Sequence, residues 1–452
     1  MSTKPKSRPR TSKARPKQPN SGQPSSGQPE RAKQTASQQQ PQTERPKIQG
    51  QAPEQVDIAI VGGGMVGAAL ACACRDLGLR IAVIDAQPPR RDWSAGDIDL
   101  RVSALSRASQ NLLSRLGAWP RMLELGVSPY REMIVWDAPD SGPGGGTLHF
   151  DSADLGEPDL GHIVENRVIR LALWEQLEQA ENISLLCPAK VEALEMDRDG
   201  ACLLLDGNQS DNRRLTARLL IGADGRDSRV RAALGIGCET VLYDQQAIVA
   251  TVTPGHWHRE TAWQRFLPTG PLAFLPLADG RCSIVWSAEQ TRAEELLAMD
   301  DDRFARELET AFDRRLGPIR AVGPRASFGL RRSHALRYVQ DRAALIGDAA
   351  HAIHPLAGQG VNLGFLDVAA LHDALAHAHR HGRDIASPAI LRRHERARRG
   401  ENEHMLLAMD AIKRLFSNAN PLLAAARGLG LTAVNQLPVL KQRLMREAMG
   451  LR

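Results

Sequence analysis

At 452 residues the chain exceeds what one compact core accommodates, so two or three domains are expected. Hydrophobic residues make up 42% and charged residues 24%, a globular balance, and no run of eighteen apolar residues is present to cross a bilayer as a helix; the longest candidate, near 421–440, is broken by Arg427 and Asn435. The formal charge of +6 sits at the front, since residues 1–55 hold 11 Lys or Arg against 3 acidic residues and the remainder holds 47 against 49.

That leading segment contains one Ile, Leu or Val (Ile48), no aromatic residue, and many Pro, Gln, Ser and Lys. It cannot bury enough apolar surface to order itself and reads as a disordered basic tail over 1–55. Its charge suits anionic lipid headgroups or nucleic acid non-specifically, and no specific nucleic-acid site is expected. It lacks the apolar face of a mitochondrial presequence and the apolar core of a secretory signal.

Residues 56–61 (VDIAIV) predict a strand, 62–67 (GGGMVG) a tight turn, 68–77 a helix stopping at Gly78, and 81–84 a second strand ending at Asp85. This is a βαβ opening with G-x-G-x-x-G in place. Gly62 makes the turn, Gly64 lets backbone approach a pyrophosphate, Gly67 allows helix-on-strand packing, and Asp85 is spaced to accept ribose hydroxyls. A second glycine element, 219–231 (LLIGADGRDSRVR), leads a strand into Asp224-Gly225. Between 236 and 322 alternating segments at 247–252, 263–267, 272–277 and 282–286 predict a mostly antiparallel sheet, with Trp263, Phe266, Phe274 and Trp286 as candidate cavity walls.

Residues 343–346 predict a buried strand that delivers Gly347-Asp348 to the end of a sheet, where ligands bind in open α/β folds. The stretch 347–365 (GDAAHAIHPLAGQGVNLGF) then combines an acidic turn, a rigid segment at Pro355 and a helix start at Gly360, Val361 and Asn362. A helix start carries partial positive charge and suits the anionic edge of a planar ligand. The C-terminal region has helical periodicity, with Leu437, Leu440, Leu444, Met445, Ala448 and Leu451 on one face and basic residues elsewhere, a pattern open to membrane-surface docking or to packing on the protein itself. Six cysteines without CxxC pairs fit reduced thiols in a cytoplasmic protein, and no metal site is expected, His351 and His354 included.

Together the three glycine elements resemble the flavoprotein aromatic hydroxylases, over essentially all of 56–452. Through 99–105 (DLRVSAL), 160–166 (LGHIVEN), 282–287 (CSIVWS) and 354–365 the chain looks like the ubiquinone-biosynthesis branch; LGHIVEN, CSIVWS and 446–451 (REAMGL) are most similar to the 2-octaprenylphenol hydroxylases. The resemblance implies an α/β fold in which a Rossmann-like FAD-binding domain (56–128, 160–237, 326–390) is joined by an antiparallel-sheet substrate domain (129–159, 238–325) and a C-terminal helical region (391–452). It implies FAD as cofactor, with Gly62, Gly64, Gly67, Asp85, Arg101, Asp224 and Asp348 on its dinucleotide chain, and Gly360, Val361 and Asn362 beside the ring. Pro355, Gly360 and Asn362 would then frame the reactive edge.

The implied reaction inserts oxygen from O2, through a flavin C4a-hydroperoxide, into a polyprenylated phenol. NAD(P)H or a protein donor would supply electrons, since only one dinucleotide fingerprint is present. Membership of a ubiquinone-biosynthesis assembly and peripheral contact with the inner membrane follow from the same likeness, and a homo-oligomer is compatible with it. Asp85 replaces the commoner Glu, and Arg226-Asp227 replace the commoner Ala-Asn, which leaves the Asp-Gly loop's part in reductant binding open. Other readings are a sister hydroxylase acting at a later ring position, a flavin reductase or oxidase on the same fold, and a noncatalytic scaffold.

Overall fold

The strand Glu54–Val61 is an apolar run in which Ile58, Ala59 and Ile60 are fully buried, the signature of a strand covered on both faces of a parallel sheet. It lies at the middle of the first sheet in a computed structural model that describes residues 54–451 apart from 95, 138–145, 207–212, 353–359 and 417–420. The expected tail over 1–55 thus falls almost wholly outside the described residues. Strand order is Val339–Gln340, Ala343–Leu345, Arg213–Gly222, Glu54–Val61, Ile81–Ile84, Ile183–Leu186, parallel from the second onward. An antiparallel hairpin, Val191–Met196 with Ala201–Leu205, joins the outer part of Arg213–Gly222.

The helix after the first strand runs Met65–Cys74 and tightens into a 3-10 turn, Arg75–Leu77, which Gly78 ends in the left-handed conformation. It packs against Asn166–Glu178 and against Gly360–Arg380. Cys72 and Cys74 point into this core, where burial pushes both thiols up to about 12, so they behave as small apolar side chains.

The second sheet has eight strands in the order His351–Ala352, Ile319–Ala335, Cys238–Pro254, Cys282–Glu289, Gly270–Pro276, Thr261–Leu267, Glu132–Asp137, Thr147–Asp151. All pairs are antiparallel except Thr261–Leu267 with Glu132–Asp137. Ile319–Ala335 pairs with Cys238–Pro254 from Cys238↔Ala335 to Pro254↔Ile319. A domain boundary at 326 therefore falls inside a strand: the ladder continues until the chain re-enters the first sheet at Val339.

One face of this sheet buries Ile248, Phe274, Ile284 and Trp286 against Phe304, Leu308 and Phe312 from Asp301–Ala311 and the turn that follows. The other face meets a three-stranded sheet, Val102–Ser106, Gly161–Glu165 and Ser128–Tyr130, with Ala262, Leu275 and Leu277 against Ala104, Tyr130 and Ile163. C-terminal to Gly360–Arg380 come three more helices, Pro388–Phe416, Pro421–Gln436 and Pro438–Met449. The last divides its apolar face between the two roles its periodicity left open. Met445 and Met449 are buried beside Ala104 and Leu275, whereas Leu437, Val439, Leu440 and Leu444 stay exposed, Val439 at 82%.

Candidate flavin site

The glycine turn between the first strand and its helix is shaped by close approach. Gly62 has φ +106°, and a Cβ there would lie 2.3 Å from the Ala223 carbonyl oxygen. A Cβ on Gly67 would lie 1.9 Å from the Gly62 carbonyl. Gly64 has open space where its Cβ would be, and it caps Met65–Cys74 in an extended conformation, so its side of the helix N-terminus is free for an anion. Of the three glycines, two pack against backbone and one leaves room.

Asp85 ends the second strand, and Oδ2 accepts from Gly63 N–H at 2.7 Å while Oδ1 accepts from Gln87 N–H at 3.0 Å. Arg170 lies 3.2 Å from Oδ1 and donates to the Gly63 carbonyl at 3.1 Å, beside a 2.7 Å bond from Trp174 Nε1–H to the same carbonyl. Asp85 thus braces the turn directly. Arg170 and Trp174 come from Asn166–Glu178, about a hundred residues away, and no local signal marks them.

Asp224 is spent on its own loop. Its carboxylate accepts from Ser228 Oγ at 2.5 Å and from the N–H groups of Arg229 and Val230 at 2.7 and 3.1 Å, and so fastens the start of Arg229–Ala233. The N-cap itself is Ser228, whose Oγ accepts from Arg231 N–H at 2.9 Å, and a cap of this kind contributes about 1 kcal/mol. Arg231 reaches from that turn to the Ala349 carbonyl at 2.7 Å, which ties the Asp-Gly loop to the Gly-Asp loop. These two motifs, read separately in the sequence, form one continuous floor with Gly62, which abuts the Ala223 and Asp224 backbone.

Gly347 has φ +58° and begins a 3-10 turn, Gly347–Ala349, after the buried strand Ala343–Leu345. A Cβ on Gly364 would lie 2.5 Å from Val66, so the long helix Gly360–Arg380 sits tight on the glycine turn. Asp348 is exposed and makes no hydrogen bond or ion pair with a described residue, leaving its carboxylate available. Arg101 is likewise exposed, its guanidinium 5.6 Å from the Phe328 ring centroid on the long strand of the second sheet.

Asn362 is fully engaged: Oδ1 accepts from Ser106 N–H at 3.0 Å and Ser109 Oγ at 2.7 Å, and Nδ2 donates to the Ala104 carbonyl at 2.8 Å. Its side chain latches the helix onto Val102–Ser106, so only its backbone can face a ligand. The N–H groups of Gly360, Val361 and Asn362 are in the first turn, where no intrahelical acceptor exists. Pro355 lies outside the described residues, as does His354.

Behind this loop lies a buried polar network that sequence reasoning missed. Asp367, with no exposed surface, accepts from Gly347 N–H at 2.9 Å and His351 Nε2 at 2.5 Å through Oδ2, and from Arg398 Nε at 2.9 Å through Oδ1. Asn402 joins Asp367 to Tyr338, whose hydroxyl also meets His334 at 2.9 Å. Burial alone would raise the Asp367 carboxyl, but His351 and then Arg398 outweigh it and hold the group well below the carboxylate range. A lone Asp inside the apolar helical run LGFLDVAAL is the sequence signal for a buried paired charge.

Next to the Asn362 latch, Ala104, Tyr130 and Ile163 face Met133, Ala262, Gln264, Ala273 and Leu275 across a narrow apolar cavity. Of the four aromatics expected to line it, Trp263 borders it only from the strand, its ring turned to the opposite face beside Phe274 and Trp136. Phe274 and Trp286 lie in the core on the opposite face, and Phe266 stacks on Phe416 at 4.0 Å.

The FAD binding domain family model matches residues 55–406. The chain is 43% identical over 406 residues to the ubiquinone hydroxylase UbiL of Rhodospirillum rubrum, covering 89% of this chain and 91% of that protein. The chain belongs to the FAD-dependent hydroxylase family of ubiquinone biosynthesis. Other members are the 3-demethoxyubiquinol 3-hydroxylase of Escherichia coli, 40% identical over 88% of this chain and 99% of that one, and the mitochondrial ubiquinone biosynthesis monooxygenase COQ6 of Homo sapiens, 36% identical over 86% and 91%. In fold the chain is similar to p-nitrophenol 4-monooxygenase PnpA from Pseudomonas putida, with TM-score 0.72 at 18% identity over 88% of this chain and 98% of that one. The protein is thus an FAD-dependent monooxygenase. The open side of Gly64 and the Asp348 carboxylate, without a partner among the described residues, fit the dinucleotide chain of such a flavin, and the first-turn N–H groups from Gly360, which have no intrahelical acceptor, fit its ring edge.

Proposed function

We propose that this chain hydroxylates the aromatic ring of a polyprenylated phenol, a 2-polyprenylphenol in the first reading, with FAD bound along Gly62, Gly64, Gly67, Asp85, Arg101 and Asp348, beside the loop that Asp224 fastens, and its ring at Gly360, Val361 and the Asn362 backbone. The observation that carries this is the double attachment of Asn362. Its backbone belongs to the helix start and its side chain holds Ala104, a wall of the apolar cavity, so ring seat and substrate space share one residue.

When bound, FAD supplies the oxygen-activating chemistry that places one atom of O2 in the ring and the other in water, with two electrons from the reductant. The residues of the chain do the rest. Asp348 and the glycine turn orient the cofactor, Asn362 fixes its distance from the cavity, and the hydrocarbon walls Ala104, Ile163, Met133, Ala262 and Leu275 exclude water from the reacting atoms. The reductant, NAD(P)H or a protein donor, visits transiently, because a single dinucleotide fingerprint serves the flavin.

A lipid substrate places the enzyme at a membrane surface. Leu437, Val439, Leu440 and Leu444 are exposed at the start and outer side of Pro438–Met449, whose Met445 and Met449 reach the cluster around the cavity, and Arg443 is exposed with them. No described helix is long and apolar enough to cross the membrane. This supports peripheral attachment through the last helix, alone or within an assembly of pathway enzymes.

Incubation of the reduced enzyme with a 2-polyprenylphenol and labelled O2 tests the reading. Label in the ring is expected, and its position separates this reading from a sister enzyme acting later in the route. Consumption of reductant and O2 with no label in the ring of any polyprenylated phenol on the route refutes hydroxylation and leaves an oxidase.

A further inference from the structure

Gln264 is the anomaly of the cavity. On its strand, Thr261–Leu267, the residues two places away on the same face are Ala262 and Phe266, and its cross-strand neighbours are Ala273 and Val135. A carboxamide therefore stands alone in a hydrocarbon field. It is 6% exposed, its Oε1 is buried with no hydrogen-bond partner, and neither end of the amide is bonded to a described residue. Gln245, whose Oε1 is also unpartnered, at least donates through Nε2 to the Thr269 carbonyl at 2.8 Å. A buried amide oxygen with no partner among the described residues is disfavoured by folding alone, so its presence points to a ligand that completes it.

We propose that Gln264 reads the ring hydroxyl of the phenolic substrate, its carboxamide oxygen accepting the phenol O–H; this rests on the ring-hydroxylase reading above. The position fits the task. Gln264 lies on the wall opposite Ala104, which Asn362 ties to the flavin-ring helix, so a ring anchored at Gln264 is held between the second sheet and that helix. The cavity as it stands admits about 10 Å³, no more than a water molecule, so a ring enters only as the walls part; Ala262 and Ala273 are small and Met133 is a flexible wall that can move aside. Tyr130 is the other polar group in the lining; burial pushes its own phenol up to about 12, so it stays protonated and serves as a donor to the same substrate oxygen. An apolar cavity alone would hold a phenol and the corresponding benzene about equally. A cavity with one orphaned acceptor discriminates, because the benzene leaves it unpaired.

The test uses the FAD-loaded full chain and equilibrium titration, followed by flavin absorbance and by calorimetry, with a short-chain polyprenylphenol and its analogue carrying hydrogen in place of the hydroxyl. Wild type is expected to prefer the phenol about ten- to a hundredfold. Q264M, which keeps length and volume, is expected to reduce that preference to within about threefold, chiefly by weakening phenol binding, and to melt at the same temperature as wild type or higher. Three results overturn the assignment: a wild type without preference, a Q264M that keeps it, or a Q264M and a Q264L that both lose FAD or stability, which would make the amide structural. Labelled-oxygen turnover by wild type is run beside them. Its failure refutes the ring-hydroxylase reading, whereas intact turnover with unchanged preference in Q264M refutes only the role of Gln264.

Discussion

Asp367→Asn is the substitution that separates a positioned flavin loop from a merely folded one. The amide can still accept from Arg398 on one side, but on the other an NH2 replaces the oxygen that now receives Gly347 N–H at 2.9 Å and His351 Nε2 at 2.5 Å. One buried negative charge is lost opposite Arg398, itself 3% exposed, and two donors are left facing a donor. Removing one partner from a buried pair costs about 3–5 kcal/mol. For a protein of this size that moves the urea midpoint down by on the order of 1 M. Because Gly347 opens the turn that carries Asp348, FAD affinity is expected to fall at least about tenfold in the same variant, measured by flavin fluorescence on rebinding to apoprotein. The sign with pH is fixed by the depressed carboxyl. Its contribution is complete above the unfolded value, about pH 4, and is given up only in stronger acid, so the penalty should be the same at pH 6 and pH 8. A variant within about 1 kcal/mol of wild type that keeps its FAD affinity would refute the argument.

Asp348→Ala is the counterpart. With an exposed carboxylate and no partner among the described residues, it should change stability by less than about 0.5 kcal/mol while weakening FAD binding about tenfold, and equal effects on both would contradict the assignment. His394 is fully buried, and burial lowers its affinity for a proton; its Nε2 donates to the Leu345 carbonyl at 3.4 Å and Nδ1 is unpartnered. The unfolded chain takes up that proton first, so stability is complete above about pH 6.5 and declines as pH falls. His394→Gln should therefore lose less stability than wild type between pH 8 and 5.5 in urea unfolding; an identical loss would refute the point. Val439→Asp, at an 82% exposed position, should leave the melting temperature unchanged and reduce sedimentation with vesicles of mixed anionic and neutral lipids, which unchanged binding would contradict.

Local chemistry carried much of this site. Gly62, Gly64 and Gly67 were legible because a sharp turn and a close backbone approach each demand glycine at a fixed offset from a strand and a helix, all within twelve residues. Gly347 and the helix start at Gly360 were legible for the same reason. Asp224 was legible as a motif but not in its local role, because whether a carboxylate faces a ligand or caps the next turn depends on atoms the sequence does not orient.

What the sequence by itself determined is the strands and turns around the glycine elements and the glycines that permit them, since both follow from backbone sterics and short-range periodicity. Only the tertiary structure decided that Arg170 and Trp174 brace the first turn, that Asp367 and Arg398 hold the second from behind, that Asn362 spends its side chain on Ala104, and that Gln264 and Tyr130 are polar groups in the cavity wall. Each is a contact across tens to hundreds of residues or a choice of sheet face. Such contacts are set by how helices and sheets pack on one another, and periodicity along one segment does not record its partner.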